Sequence, residues 1–219
     1  MIQIDPLRFG IAVGPLAIYL LVMGIVNLMS RPFVTTGARD TAAMGIAITG
    51  LMIIGPMELF FPEGAAIRFG AWVWLMLIAF YGLCVSLAVL LMRPRIVVYN
   101  TTMEQLRPIL ASTVAQMDSK ARWTGDSLLI PSLNVHLHLE GFSLLRHVQL
   151  VAVGHRQNYE GWNKLERILR DAIRPVRTFP SLLGMLLATI AIASALGTWF
   201  LLARNQATVI AALNEMLWH

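Results

Sequence analysis

The chain has few cysteines and few charged side chains. One cysteine, Cys84, occurs in 219 residues, which excludes a disulfide framework within the chain. Charged residues make up 13% of the sequence, whereas a typical soluble domain has about 25%. Hydrophobic residues make up 57%. This composition excludes an ordinary soluble globular protein and is typical of a chain that contains membrane-spanning segments.

The sequence also lacks the short motifs of common enzyme classes. It contains no GxSxG nucleophile motif, no GxGxxG or GxxxxGK[ST] phosphate-binding loop and no HExxH metalloprotease helix. Neither a serine nor the single cysteine stands in a recognisable catalytic context. We therefore predict no catalytic residue, no enzymatic activity and no cofactor.

Four apolar runs are each long enough to cross a bilayer core as a helix, which takes about 20 residues. They are Phe9–Met29, Thr41–Phe61, Gly70–Met92 and Ser181–Ala203. The stretch between the third and fourth runs has an ordinary water-soluble composition. We predict a four-span α-helical membrane protein whose regions are 1–92 (three spans), 93–180 (a small domain), 181–204 (the fourth span) and 205–219 (an amphipathic C-terminal helix).

The distribution of positive charge predicts an orientation in the membrane. Five of the 17 basic and five of the 12 acidic residues lie outside residues 93–178, so the whole excess of positive charge lies within that stretch. Arginines are also concentrated in the first connection between spans. Because cytoplasmic loops are rich in Lys and Arg, we expect residues 93–180 in the cytoplasm and both termini outside. Nucleic-acid binding is not expected, since no groove-reading or base-stacking motif accompanies the charge.

Residues 93–180 predict an α+β domain in the order strand, helix, three strands, helix. Two helices should pack on one face of a mostly antiparallel sheet. The first helix carries Thr101 and Glu104 at the spacing of a capping box. The predicted strands are Ile96–Asn100, Trp123–Ile130, Leu133–Glu140 and His147–Gly154, and the second helix is Tyr159–Ile173. The short connections to the third and fourth spans should hold this domain at the membrane by both ends.

Three histidines of this domain form a candidate metal site. His136 and His138 share one face of a predicted strand, and a hairpin with the next strand could bring His147 beside them. Neutral imidazoles arranged in this way bind zinc or copper. Alternating polar residues on a solvated strand produce the same pattern, and no cysteine joins the three histidines. We therefore favour the solvated strand and keep metal binding as the alternative.

Glu58 is the one Asp, Glu, Lys or Arg within the four apolar runs, and an acid at membrane depth is a functional hypothesis by default. The nearby Pro62 favours an interfacial position, where Glu58 could pair with Arg68. Small residues spaced four apart also predict close helix packing, either within one chain, which we favour, or in a homo-oligomer. These residues are Gly10, Gly14, Ala43, Ala47, Ala193 and Gly197.

Together these features favour a non-enzymatic scaffold or sensor in the lipid bilayer, whose cytoplasmic domain binds a partner protein. One alternative is a small homo-oligomeric channel or transporter in which Glu58 acts as a gate or coupling acid. The other is a metal-binding protein that uses His136, His138 and His147.

Overall fold

The structure is a computed structural model and describes residues 5–142, 146–154 and 157–218. In chain order its elements are α1 (Pro6–Leu28), β1 (Phe33–Thr36), α2 (Gly37–Met52, continued by a π-helical turn at Ile53–Met57), α3 (Glu63–Phe69), α4 (Trp72–Leu90), β2 (Arg95–Tyr99), α5 (Met103–Met117), β3 (Arg122–Thr124), β4 (Ser127–Ile130), β5 (Val135–Phe142), β6 (His147–Ala152), α6 (Tyr159–Ile173), α7 (Leu182–Arg204) and α8 (Gln206–Trp218).

Among the described residues, four helices are long and apolar enough to cross a membrane, judged by length and composition. They are α1, α2 with its π-helical turn, α4 and α7. Each corresponds to one of the four apolar runs of the sequence, with its ends shifted by a few residues. The prediction of four apolar helices is therefore confirmed.

The chain forms two compact units. In the part of the chain that the structure describes, the helical unit comprises residues 5–23, 42–90 and 186–218, and the sheet unit comprises Gly24–Thr41 and Leu91–Met185. The boundary falls inside α1, α2 and α7. Each of these three helices therefore contributes residues to both units.

The sheet unit contains a six-stranded sheet in the order β1-β2-β6-β5-β4-β3. All five neighbouring pairs run antiparallel, which confirms the expected antiparallel arrangement. Three strands were expected between the two helices of this domain, but four are present, β3 to β6. The segment expected to be one strand, Trp123–Ile130, belongs to the hairpin of β3 and β4, because Gly125 turns the chain at a φ of +61°.

Strand β1 comes from the first connection between apolar helices and pairs with β2 at the edge of the sheet. The sequence analysis did not predict it, although Val34, Thr35 and Thr36 are all β-branched residues that favour strands. Thr36 ends the strand, and its Oγ1 accepts a hydrogen bond from the backbone N–H of Arg39 at 3.3 Å. This is an N-cap arrangement, so β1 continues into α2 without a loop.

Both helices of the sheet unit pack on one face of the sheet. The buried core joins alternate residues of the central strands, such as Leu137 and Leu150, to Leu110 of α5 and Leu165 of α6. Alternate β5 positions carry the polar residues to the opposite face, as expected for a half-buried strand. The cap of α5 lies one residue later than predicted: its pair is Thr102 and Gln105, in place of Thr101 and Glu104.

In the helical unit, glycines allow the helix backbones to approach closely. A Cβ at Gly50 of α2 would lie 1.9 Å from the carbonyl oxygen of Ile11 in α1. A Cβ at Gly45 would lie 2.7 Å from a methyl carbon of Val85 in α4. The Gly45 carbonyl also accepts a hydrogen bond from Tyr81 Oη at 2.6 Å. Close packing of α1, α2 and α4 therefore depends on the missing side chains of two glycines.

We predict that Gly50→Ala lowers the free energy of unfolding by about 1–3 kcal/mol, the usual cost of overpacking a tight contact. The matched control is Gly82→Ala, since an added Cβ at this exposed α4 position meets nothing within 4 Å. Unfolding of the purified full-length protein in detergent measures both effects. Equal stability of the two variants would contradict the close approach of α1 and α2.

Candidate functional site

A buried polar junction connects the end of α1, the end of β2 and the segment that leads into α7. Its centre is Asn100, which directly follows β2 in the left-handed backbone conformation (φ 57°). The Nδ2 group of Asn100 donates hydrogen bonds to the carbonyl oxygen of Met29 at 2.6 Å and to Thr178 Oγ1 at 2.8 Å. Both Asn100 and Thr178 are buried. One amide side chain therefore joins three segments that are distant in sequence.

Backbone hydrogen bonds extend this polar junction toward α7. The N–H of Thr178 donates to the carbonyl oxygen of Ser30 at 2.9 Å, and the N–H of Ser181 donates to that of Asn27 at 3.2 Å. Ser181 Oγ then accepts the N–H of Gly184 at 3.0 Å and so caps the first turn of α7. A Cβ at Gly184 would lie 2.9 Å from the Cβ of Asn27. The end of α1 and the start of α7 are thus held side by side.

A second polar cluster joins the sheet to the first turns of α2. Tyr99 Oη donates a hydrogen bond to Asp40 at 2.6 Å, and Arg95 forms an ion pair with the same carboxylate at 3.8 Å. Arg95 also donates to Thr41 Oγ1 at 3.0 Å and to Gln149 Oε1 at 3.4 Å. Its side chain passes directly over Gly37, where a Cβ would lie 2.0 Å from the Cγ of Arg95.

From this cluster a row of aromatic rings extends across the sheet face that α5 and α6 leave uncovered. The ring of His147 lies 5.8 Å from that of Tyr99 and stacks on Phe142 at 4.7 Å. Strand pairing places these rings together, since Tyr99 and Phe142 are the two cross-strand neighbours of His147. Contiguous side chains therefore run from Phe142, which is 46% exposed, to Asp40 in α2.

The environment of His147 favours the neutral imidazole. Partial burial lowers the pKa of His147 from its ordinary value; the Asp40 carboxylate opposes this effect, and the Arg95 guanidinium adds to it. The Nε2 atom lies 3.3 Å from Gln149 Nε2. A neutral imidazole that accepts a hydrogen bond from this amide fits the geometry.

The three candidate histidines do not converge. His136 and His138 lie on one face of β5, and His138 Nδ1 is 3.1 Å from Ser127 Oγ. His147 pairs with Phe142, four residues beyond His138 along the strand, which corresponds to about 13 Å. In the described part of the chain, no three His, Cys, Asp or Glu side chains form a group that could hold a metal ion.

Glu58 directly follows the π-helical turn at the end of α2. Its carboxylate pairs with Arg8 in the first turn of α1 at 2.6 Å. The predicted pairing of Glu58 with Arg68 is wrong. The start of α1 lies beside the end of α2, so Arg8 takes this position, whereas Arg68 belongs to α3. Arg8 also pairs with Asp5 at 3.6 Å.

The small residues predicted for helix packing occupy different environments. Ala47 is 2% exposed, and an added Cβ at Gly10 would lie 3.4 Å from side-chain atoms of α7. Ala43 is half-buried, Ala193 and Gly197 are exposed, and nothing lies within 4 Å of a Cβ placed on Gly14. Packing within the chain therefore uses part of this set, together with Gly45 and Gly50. Ala193 and Gly197 remain the candidates for a homo-oligomer seam.

The residues that build both polar clusters do not stand out in the sequence. Asn100 was assigned to the end of a strand, although asparagine is among the few residues that adopt positive φ readily. Asp40 and Thr178 belong to no predicted span, strand, helix or motif. No local pattern identifies such residues, because their partners lie far away in sequence.

Comparisons with protein-family models, with curated proteins and with solved structures found no match for this chain. The class of the protein is therefore defined by its own fold. It has four helices long and apolar enough to span a membrane, and a six-stranded antiparallel sheet with two helices on one face.

We predict that Asn100→Gly lowers the free energy of unfolding by about 2 kcal/mol, since each lost hydrogen bond contributes about 1 kcal/mol. Glycine keeps the left-handed backbone conformation, so the change isolates the amide group. Asn134→Gly is the matched control, because Asn134 has a similar φ of 51° but an exposed side chain. Denaturant unfolding compares the two variants. A loss for Asn100→Gly no larger than for Asn134→Gly would argue against the junction.

The lowered pKa of His147 predicts a pH dependence of stability. The unfolded chain binds this proton more tightly, so the contribution of His147 is complete above the ordinary pKa of about 6.5. It is lost as the pH falls from there through the lower folded-state pKa. Melting temperatures from about pH 8 to about pH 5 should decline less steeply for His147→Gln than for the wild type. His138→Gln is the control, and a wild-type slope in His147→Gln would refute the assignment.

Proposed function

We propose that the protein is a non-enzymatic membrane scaffold or sensor, whose sheet unit binds a partner protein and transmits that binding to the apolar helices. The observation that carries the proposal is the hydrogen bond from Tyr99 to Asp40. It connects the uncovered face of the sheet to the first turn of α2. A change on that face therefore has a short physical route to a predicted membrane span.

The uncovered face has the chemistry of a protein-binding surface. Phe142 and Leu129 are 46% and 43% exposed on neighbouring strands. Leu129 pairs with His136, and the half-buried His136 and His138 and the exposed Glu140 lie between Leu129 and Phe142 on the same face. Exposed aromatic and aliphatic side chains with a polar surround are typical of protein interfaces.

The cluster around Arg95 and the polar junction at Asn100 would transmit partner binding on this face to the helices. A partner that contacts Phe142 would perturb its stacking on His147, then the Tyr99 ring, and then the carboxylate of Asp40. Asp40 lies near the N-terminus of α2, where a negative charge stabilises the helix. The polar junction at Asn100 gives the sheet a second attachment, to α1 and α7.

The proposed membrane orientation places the sheet unit in the cytoplasm and both termini outside. Its support is the arginine distribution and the pairing of β1 with β2. These strands come from the first connection and from the stretch after the third span, so both segments belong on one side of the bilayer. The ion pair of Glu58 with Arg8 supports a structural role for this acid, and a scaffold more than a conduit.

The test is affinity purification of the tagged full-length chain from native membranes in mild detergent, with quantitative mass spectrometry. We expect a partner protein in near-stoichiometric amount with the wild type, and its loss with Phe142→Glu, which places a charge at the exposed end of β5. Tyr159→Glu is the control, because Tyr159 is 66% exposed at the start of α6.

Recovery of lipid alone, or of the same proteins with Phe142→Glu as with Tyr159→Glu, would overturn the proposed partner site. Carbonate extraction of the same membranes checks insertion separately. An integral protein stays in the membrane pellet, and release into the supernatant would refute the membrane role itself.

A further inference from the structure

A cleft in the sheet unit is lined by four arginines. It lies between the first connection and the end of α6 and has a volume of about 440 Å³, within the usual range of small-molecule sites. Arg31 and Arg39 line it on one side, and Arg170 and Arg174 on the other. These pairs are more than 130 residues apart in sequence, so the fold brings their charges together.

Two carboxylates accompany these four guanidinium groups: Glu166, and Asp171, which also lines the cleft. Glu166 pairs with Arg39 at 3.6 Å and also with Arg170. Arg31 and Arg174 form no ion pair with any residue that the structure describes, and both are exposed. Guanidinium groups bind phosphate oxygens through paired hydrogen bonds. Four positive and two negative charges leave an excess of two positive charges at the cleft, and Arg31 and Arg174 are its exposed guanidinium groups without an ion pair among the described residues.

Apart from Asp171 and Thr35, the rest of the cleft is apolar. Met29, Phe33, Val34 and Ile173 contribute to its walls. A small inorganic anion gains nothing from such a surface, whereas a molecule with a charged head and an apolar body matches both parts. The lining thus favours an amphiphile over free phosphate.

The cleft also lies near the end of an apolar helix. Arg31 follows the last residue of α1, Leu28, by three positions, which limits its Cα to about 11 Å from that end. Arg174 is four residues from Thr178, which bonds to the carbonyl oxygens of Ser30 and Met29. Phospholipid headgroups form a layer of roughly 5–8 Å outside the hydrocarbon core. The arginines are therefore within reach of headgroup phosphates if α1 spans the bilayer.

We propose that this cleft binds the phosphate of an anionic phospholipid, with Arg31 and Arg174 as the phosphate-binding residues and the apolar wall against the glycerol and upper acyl chain. The inference rests on the membrane insertion proposed above. Basic pockets beside membrane helices on the cytoplasmic side are established sites for anionic lipids. Bound lipid would then stabilise the attachment of the sheet unit to α1 and α7.

The experiment titrates the delipidated full-length protein in detergent with phosphatidylglycerol and with phosphatidylcholine of the same acyl chains, and counts bound lipids by native mass spectrometry. We expect preferential binding of phosphatidylglycerol. The double variant Arg31→Gln/Arg174→Gln should weaken that binding about 30-fold, since each basic residue near a membrane surface contributes about a factor of five. The conservative variant Arg31→Lys/Arg174→Lys should retain most of it.

The matched control is Arg122→Gln/Arg167→Gln, which removes the same charge from β3 and from a part of α6 outside the cleft. This control should change phosphatidylglycerol binding less than threefold. An equal loss in the control would mean nonspecific attraction and overturn the proposal. Absence of any phosphatidylglycerol preference in an integral protein would overturn the lipid site but leave the scaffold role standing. Displacement of the lipid by inorganic phosphate alone would assign the cleft to a soluble anion and refute the lipid.

Discussion

The structure of the sheet unit depends on the side-chain amide of Asn100. This group is buried, so its hydrogen bonds to Met29 and Thr178 cannot be replaced by bonds to water without opening the junction. The two bonds fix where α1 ends and where the chain turns toward α7. The left-handed backbone at Asn100 also separates β2 from α5. One residue therefore determines a strand end and the positions of two helix ends.

The cluster around Arg95 fixes the start of α2 against the sheet. Arg95 reaches Asp40 and Thr41 in α2 and Gln149 in β6, two elements that are far apart in sequence. A partly buried guanidinium needs a balancing charge, and Asp40 supplies it to Arg95. The absence of a side chain at Gly37 makes room for the arginine. The sheet and the helix α2 are thus connected by charge and shape as well as by the β1 strand.

Periodic patterns predicted much of this fold, and isolated residues did not. The four apolar runs and the helix Tyr159–Ile173 follow from composition and a 3.6-residue period, and each is present. Strand β1 was missed because four residues are too few for a period to be recognised. The Arg8–Glu58 pair was missed because it joins residues 50 positions apart in sequence. The histidines share the expected strand face, but the register of β5 and β6 separates His147 from the others.

Strand β1 also affects the order in which the protein can be made. It is synthesised roughly 60 residues before its neighbour β2, an interval of ~3–12 s at typical translation rates of about 5–20 residues per second. During that interval its backbone amides and carbonyls have no strand partner, and such exposed edges favour aggregation. Thr178, which binds Asn100, is made later still. The sheet unit is therefore completed only when the chain has nearly reached the fourth apolar helix, after the first three have been made.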